Sequence, residues 1–505
     1  MVDIVELQQG LAIEKEFKGR VLDNVHGFIY YTEAENKIMQ TALFKRLQSI
    51  KQLSIVNWVF PGSEHTRYIH SLGVMYIADK IAVRLNLPYK ERKIARMAGL
   101  LHDIGHYPLS HVCESPYKKG FAISMDKSYC LDKNSKVQAD IDSLDDNPKS
   151  QYMDKSTGYH HEKIGANIVL YNHEIRTIIE EECGLDAPDI IADMIIGNTE
   201  RKENTNPLLV QILHSELDAD GIDYLMRDAV FSGTSFGTFE LDQLIGCMEI
   251  GEFEGNQILC INPKGIAAAD QYLINKFFSY SQVVFNKHIS ITEWMAEQIV
   301  DWMQKNNAYF PSRNELDIWV KDVDEKYIGF TDNFFWASLQ KILDNPLRAT
   351  EPEYIRCFCR QLLNHTELEY KDNSEVKVVS NSIDEIKTLI TNSSTYDSLS
   401  NQDSQIALFC IRSMSKQTTK SEFEKTLETM KKYAQEHPDD TNAISEDDFP
   451  ILRAKRFMEC ICVKDGDEIH LLCDDTRSLM RNLYNEKLAI LRTYNCDMSE
   501  ATIEV

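Results

Sequence analysis

The sequence predicts a mainly α-helical fold with one β-hairpin and a smaller C-terminal α+β appendage, and three patterns point that way. Apolar residues recur at helical intervals: Leu43, Leu47, Ile50 and Leu53; then Leu72, Ile77, Ala78, Ile81 and Leu85; then Ile94, Ala95, Met97, Ala98, Leu100, Leu101 and Ile104. Alternation is confined to short runs, such as MEIGEFEGNQILCINPKG, which reads as a hairpin around a Glu-Gly-Asn turn. Past about residue 305, helical segments are followed by FMECICVKDGDEIHLLCDD, which reads as two strands around Asp465-Gly466.

A chain of 505 residues can bury a large core and is expected to hold two or three structural units. We expect a core over residues 1–305, including an insertion over 113–159, and a helical and α+β region over 306–505. Its 43% hydrophobic and 26% charged residues are ordinary for a soluble globular protein. No apolar run reaches the ~18 residues of a membrane span. The opening MVDIVELQQGLAIEKEFKGR carries acids and no continuous apolar stretch, unlike a secretory signal, so a cytoplasmic location is expected. The twelve cysteines form no CxxC pair, which argues against a structural zinc and against a disulfide framework. Cys357 with Cys359, and Cys460 with Cys462, would share a strand face as buried reduced thiols. A formal charge of −25 opposes attraction to phosphate backbones, so nucleic acid is not an expected partner. A nucleotide is still allowed, because acids beyond about 8 Å are screened and a bound divalent metal dominates locally.

In chain order, VHGFIYYTEAENKIMQ reads as a short strand or turn leading into a helix. The stretch from Thr41 to Leu53 is a second helix. After the Pro61-Gly62 turn, a third carries His70 near its start and ends at Asn86 and Pro88. A fourth opens at Pro88 and is stopped by Gly105, which puts His102 and Asp103 in its last turn. Gly105 and Pro108 then bend the loop so that His106 and His111 return toward them. An adjacent His and Asp cannot share one helical face, yet at a terminus both can lean toward a common ion. From Cys113 to Tyr159 the chain is polar, and a loop this long is either a lid or an insertion; bounded by candidate site residues, it reads as a cover over a pocket.

His161 and Glu162 open the helix HEKIGANIVLY. Between Leu208 and Phe231, Glu216, Asp220, Tyr224 and Asp228 recur every four residues and line one slowly turning stripe of a helix. The helix from Gly265 to Val300 is rich in aromatic residues, for core or subunit packing. PEYIRCFCRQLLNH and SEFEKTLETMKKYAQEH are helical, TNSSTYDSLSNQDSQ reads as an exposed connector, HPDDTNAISEDDFP as an acidic linker, and a last helix runs through MRNLYNEKL.

The chemistry concentrates in MAGLLHDIGHYPLSHVCE, with further His and acid clusters in EHTRYIHSLG, GYHHEKIG and HSELDADGIDYLMRD. Imidazoles and carboxylates together suit Mn, Fe, Zn or Mg rather than a thiolate-loving ion.

The blocks DNVHGFIYYTEAE, FKRLQSIKQLSIVNWVFPGSEHTRYIHSLGV, LLHDIGHYPLSH, HHEKIG and LDADGIDYLMRD, in this order, resemble the HD-domain phosphohydrolases, and among them the dNTP triphosphohydrolase branch. The resemblance runs from about Asp23 to His288. It implies an all-helical HD-domain core and a metal held by His70, His102, Asp103 and Asp220. His106 would steady the scissile phosphate and His111 would protonate the leaving oxygen. Glu114, where relatives often have Asp, and His161 would orient His111. Gln52 would meet the sugar, Arg67 a phosphate, and Tyr224 and Asp228 the sugar and phosphates. His65 has no counterpart and reads as a loop histidine. Asp218, Asp223 and Arg227 read as neighbours supporting their helix. That branch also brings basic side chains to the phosphate tail from the aromatic helix, where this chain offers Lys276 and Lys287 and no matching arginines.

The implied activity is hydrolysis of a dNTP to deoxynucleoside and triphosphate, in a homo-oligomer, dimer or tetramer. Another phosphoester substrate, or nucleotide binding without turnover, is the alternative.

Overall fold

The computed structural model describes residues 13–118, 128–131, 160–199, 206–321, 325–345, 352–366, 369–399, 405–436 and 449–495. Most of the expected cover, 119–127 and 132–159, and most of the acidic linker, 437–448, lie outside them. The fold is mainly α, as expected.

The chain enters through an antiparallel hairpin, β1 (Phe17–Asp23) and β2 (Gly27–Thr32), turning at Gly27 with a φ of 72°. Thr32 and Glu35 then form a capping box that starts α1 (Glu33–Gln40). Glu35 also takes two hydrogen bonds from buried Arg96, at 2.7 and 2.8 Å, so the cap fastens α1 to the fourth predicted helix. The predicted helix from Thr41 is short: Ala42–Lys45 is α-helical, Arg46–Ser49 is a 3-10 turn, and Ile50 is extended. Beyond it Lys51 bridges to Thr66, so Gln52 leaves the helix and is buried.

Helices α2 (Arg67–Arg84) and α3 (Tyr89–Leu101) follow, and α3 stops with His102 as its C-cap. Asp103 therefore lies beyond the helix. Gly105 has no left-handed conformation; its value is closeness, because a Cβ there would sit 2.2 Å from the His161 carbonyl. That approach brings α4 (His111–Lys118) and α5 (His161–Tyr171) to the loop after α3.

The predicted acidic stripe is not one helix. The helix Pro207–Leu213 ends first, and Asp218 caps a new one, α6 (Ala219–Ser232), by accepting the Gly221 N–H at 2.7 Å. Glu216 stands in the link between them. Gly73 of α2 lets α6 lie against it, since a Cβ would come within 1.9 Å of Asp223 Oδ1.

The hairpin β4 (Met248–Phe253) and β5 (Asn256–Ile261) is as predicted. The long aromatic helix is in fact broken: α7 (Ile266–Ser279) runs into a π-helical turn, Tyr280–Val284, and Asn286 caps α8 (Lys287–Lys305). In the C-terminal region, Cys357 and Cys359 lie on helix Glu353–Leu363 rather than a strand, and the connector TNSSTYDSLSNQDSQ contains helix Ser394–Leu399. The last predicted helix is only Met480–Leu483, and the chain then becomes a strand.

Two four-stranded sheets cross position 305. Strand β3 (Ser128–Leu131) pairs with β7 (Gln405–Ser413), in an antiparallel sheet with β10 (Lys487–Asn495) and β6 (Glu369–Ser380). Strand β5 pairs in parallel with β8 (Cys462–Asp465), which pairs with β9 (Glu468–Leu471). Asp332 adds a polar tie by accepting the N–H groups of Lys51 at 2.9 Å and Leu109 at 2.7 Å. The described cysteines are free thiols, and all but Cys357 are buried. Among the described residues no helix is long and apolar enough to cross a membrane.

Candidate active site

His70 projects from the first turn of α2 into a fully buried position between two carboxylates of α6: its Nε2 lies 2.9 Å from Asp220 Oδ1 and its Nδ1 2.7 Å from Asp223 Oδ2. His102, at the end of α3, donates Nδ1–H to the Gly99 carbonyl at 2.8 Å and so turns Nε2 to within 3.3 Å of His70 Nε2. Asp103 closes the group, with Oδ2 3.7 Å from His70 Nε2 and Oδ1 3.5 Å from His102 Nε2. His70, His102 and Asp103 each offer an atom within 4.8 Å of the others, and Asp220 Oδ1 stands 3.7 Å from His102 Nε2 as well. Such a set of two imidazoles and two carboxylates from three separate segments, buried except for the half-exposed Asp220, fits a divalent cation.

The charges around it follow from the packing. Burial opposes a positive His70, but the hydrogen bonds and charges of Asp220 and Asp223 prevail and raise it to about 10. Burial would likewise raise the Asp103 carboxyl, yet Arg67, then His102 and His70, hold it well below the usual range.

A second cluster adjoins the first across Asp103. His106 Nε2 and His161 Nε2 both stand 3.9 Å from Asp103 Oδ1. The His106 and His161 rings stack at 4.1 Å, and His111 meets His106 edge-on at 5.0 Å. Glu114 spans this cluster: it accepts from His111 Nδ1 at 2.8 Å, from His161 Nδ1 at 3.0 Å and from the His161 N–H at 2.9 Å, and pairs with Lys118 at 2.9 Å. Glutamate in place of aspartate thus still reaches both histidines. Burial, reinforced by Arg67, His161 and His111, pushes His106 well below the ordinary imidazole value, so it is neutral. Its Nε2 is buried and lacks a hydrogen-bond partner among the described residues. The His111 side chain, at 65% exposed, is the outermost member of the cluster.

The residues expected to touch substrate are placed differently. Arg67 is buried and committed to the protein: to Asp103 at 2.8 Å, to Ser110 Oγ at 3.0 Å and to the Gln52 carbonyl at 3.3 Å. The Gln52 N–H donates to the His65 carbonyl at 3.0 Å, while its Oε1 is buried and unsatisfied. Asp228 accepts from His65 at 2.8 Å, so His65, in a loop as expected, is a buried partner of that carboxylate. Tyr224, half-buried, lies one turn beyond Asp220.

Sequence reasoning undervalued a set of supporting groups. Asp223 does more than support its helix, because it orients His70; its other oxygen takes His26 Nε2 at 2.5 Å, and Arg227 joins it to Asp23. A carboxylate behind a metal-binding imidazole fixes the tautomer and ring orientation. The only signal was the pairing of the blocks DNVHG and DADGIDYLMRD, which gives no contact by itself.

With this geometry in place, the comparison with known proteins is decisive on one point: residues 67–226 match the HD domain model. This chain carries an HD domain. The matched segment encloses His70, His102, Asp103 and Asp220. The HD-domain chain is 27% identical over 327 residues to an uncharacterized protein of Methanocaldococcus jannaschii, covering 65% of this chain and 56% of that one. It is also 27% identical over 226 residues to the deoxynucleoside triphosphate triphosphohydrolase SAMHD1 homolog of Dictyostelium discoideum, covering 42% of this chain and 36% of that one. The resemblance to the triphosphohydrolase branch is thereby borne out. The chain spans about half the length of the uncharacterized relatives, 53% in a Bacillus subtilis protein, and about a third of the Dictyostelium one. A hypothetical protein from Aquifex aeolicus shares the fold, with a TM-score of 0.60, 19% identity and coverage of 94% of this chain and 96% of that one.

Proposed function

We propose that the protein is a metal-dependent phosphohydrolase that cleaves dNTPs to deoxynucleoside and triphosphate. The observation that carries this reading is the union, through Asp103, of the His70–His102–Asp103 group and its neighbour Asp220 with a Glu114-braced histidine cluster. A divalent ion bound by the first group supplies charge to a phosphate oxygen and lowers the pKa of bound water. Its identity among Mn, Fe, Zn and Mg is a matter for metal analysis.

The chain's own residues do the rest. Water adds to the α-phosphorus and releases a proton to solvent, and the bond from that phosphorus to the 5′ oxygen breaks. His106, neutral and with a free Nε2, donates a hydrogen bond to a phosphate oxygen. His111, at the rim, gives its proton to the departing 5′ oxygen, and Glu114 stabilises the imidazolium before transfer. His161 holds Glu114 from the other side, which fixes the direction of that donation. Gln52, Tyr224 and Asp228 face the nucleotide in this reading, whereas Arg67 acts through Asp103. Assembly into a homo-oligomer belongs to the same reading.

The commitment of Arg67 and Asp228 to protein partners favours a second reading, hydrolysis of another phosphoester. Purified protein with Mn or Mg, supplied with the four dNTPs, NTPs and a generic phosphodiester, separates the two. Inorganic triphosphate released from dNTPs is the expected product; turnover of other esters alone would replace the first reading with the second.

A further inference from the structure

The backbone between His106 and His111 holds an unusual conformation. Leu109 and Ser110, which lead into α4, have φ of 47° and 53°. Two consecutive residues with side chains stay in the left-handed region only where their surroundings leave them no alternative. Contacts able to impose it come from two directions. From the HD side, Ser110 Oγ donates to the Lys51 carbonyl at 2.7 Å and accepts from Arg67 Nε at 3.0 Å.

The other direction is a segment well past residue 226, where the HD match ends. Asp332, buried at the start of helix Asp332–Asp344, uses its two carboxylate oxygens on two different pieces of chain. Oδ1 accepts the Leu109 N–H at 2.7 Å and Oδ2 the Lys51 N–H at 2.9 Å, so the loop is fixed against the residue before Gln52. Nearby, buried Arg46 donates from Nη1 to the Phe330 carbonyl at 2.6 Å and from Nη2 to the His106 carbonyl at 2.6 Å and the Tyr327 hydroxyl at 3.0 Å. The Phe330 ring also meets Tyr107 edge-on at 6.2 Å. Residues 327–332 therefore grip the loop at three successive places: His106, Tyr107 and Leu109.

A carboxylate suits this task in a way an amide does not. Two N–H groups arriving from separate segments need two acceptors, and an amide would offer one and turn its own N–H toward the other donor. The consequence falls on the next element, because the Leu109 carbonyl accepts the Val112 N–H at 3.2 Å and α4 opens at His111. The course of the chain through Leu109 and Ser110 thus sets how the His111 ring meets His106, 5.0 Å away.

We infer that Asp332 is a positioning residue for His111: it pins the left-handed Leu109–Ser110 backbone against Lys51 and acts through the loop, not by contact with the reacting atoms. The chemical task of His111 rests on the proposed hydrolysis, whereas its placement by Asp332 does not.

The test compares the full chain with Asp332→Asn, both carrying isotope-labelled histidine and loaded with diamagnetic Mg. Ring resonances assigned to His111 by their loss in His111→Gln should shift in Asp332→Asn while metal content stays at the unmodified level. The kcat for dNTPs should fall about 10–100-fold with KM held within about twofold, as expected when a reacting group is displaced by roughly an ångström. Asp332→Ser has no amide to oppose either N–H, should behave alike, and serves if Asp332→Asn does not fold. Unmoved His111 resonances overturn the inference whatever happens to kcat. So does a shift that leaves kcat unchanged, and so does loss of metal together with activity, which would make Asp332 a support of the whole site. Shifted His111 resonances in a protein that turns over no dNTP leave the placement standing and overturn the proposed substrate instead.

Discussion

Two histidine clusters share Asp103 and yet have opposite electrostatic characters. Around His70 the neighbours are carboxylates, Asp103, Asp220 and Asp223, which favour positive charge at the imidazole, and a cation bound at its Nε2 would take the place of the proton. Around His106 the leading influences are burial, Arg67 and two other imidazoles, and the ring is held neutral. The same side chain is thus prepared for two tasks by what packs against it: a negative cage that a cation can occupy, and a neutral donor beside a braced acid. Asp103 belongs to both clusters, with Arg67 holding it ionised from behind.

The largest effect should come from the shared residue. Asp103→Ala removes a proposed ligand and leaves the buried Arg67 guanidinium without its charged partner, a change that typically costs about 3–5 kcal/mol. Thermal unfolding should show that loss and metal analysis should find no stoichiometric Mn; a stable, metal-loaded variant would show that Asp103 does not join the clusters. Breaking only the second cluster should separate binding from turnover. His111→Gln is expected to lower kcat by about 10²–10⁴ while metal content stays at the unmodified level. Loss of metal together with activity would mean that the two clusters are one.

An intermediate effect is expected behind the first cluster. Asp223→Asn keeps the shape but weakens the hold on His70 Nδ1, and replacing such an outer carboxylate commonly costs about 10–100-fold in metal affinity. Competition with a chelator measures it, and unchanged affinity would reduce Asp223 to a partner of Arg227.

How much of this was legible in the sequence depends on the range of the interaction. The HD stretch, the start of its helix after Pro88, the histidine opening α5 and the turn at Gly466 are local patterns, and each was readable from a few neighbouring residues. The breaks were readable in principle, because Asp218 and Asn286 are ordinary N-caps, but the apolar and every-fourth-residue patterns continued past them and concealed the interruption. The pairs His26–Asp223, His65–Asp228 and Lys416–Glu216 were not readable at all. Their partners lie 197, 163 and 200 residues apart, and no local pattern records which buried acid meets which distant donor.

The smallest effect tests the same electrostatic logic away from the two clusters. Glu114 is buried too, but His161, His111 and Lys118 outweigh burial and keep its carboxyl well below the usual range. Glu293 of α8 has instead Glu297 one turn along, and burial followed by that like charge raises its carboxyl to about 8. Because its folded value lies above its unfolded value near 4.5, the native state prefers the protonated form. The associated stability is fully present below pH ~4.5 and is lost as pH rises toward 8. Glu293→Gln is permanently neutral, so it should match the unmodified protein near pH 4.5 and exceed it by about 1–3 kcal/mol at pH 8.5. Denaturant unfolding at the two pH values measures the difference. A gain of equal size at both would mean that the substitution acts through packing, and that the charge of the neighbour at Glu297 has no part in it.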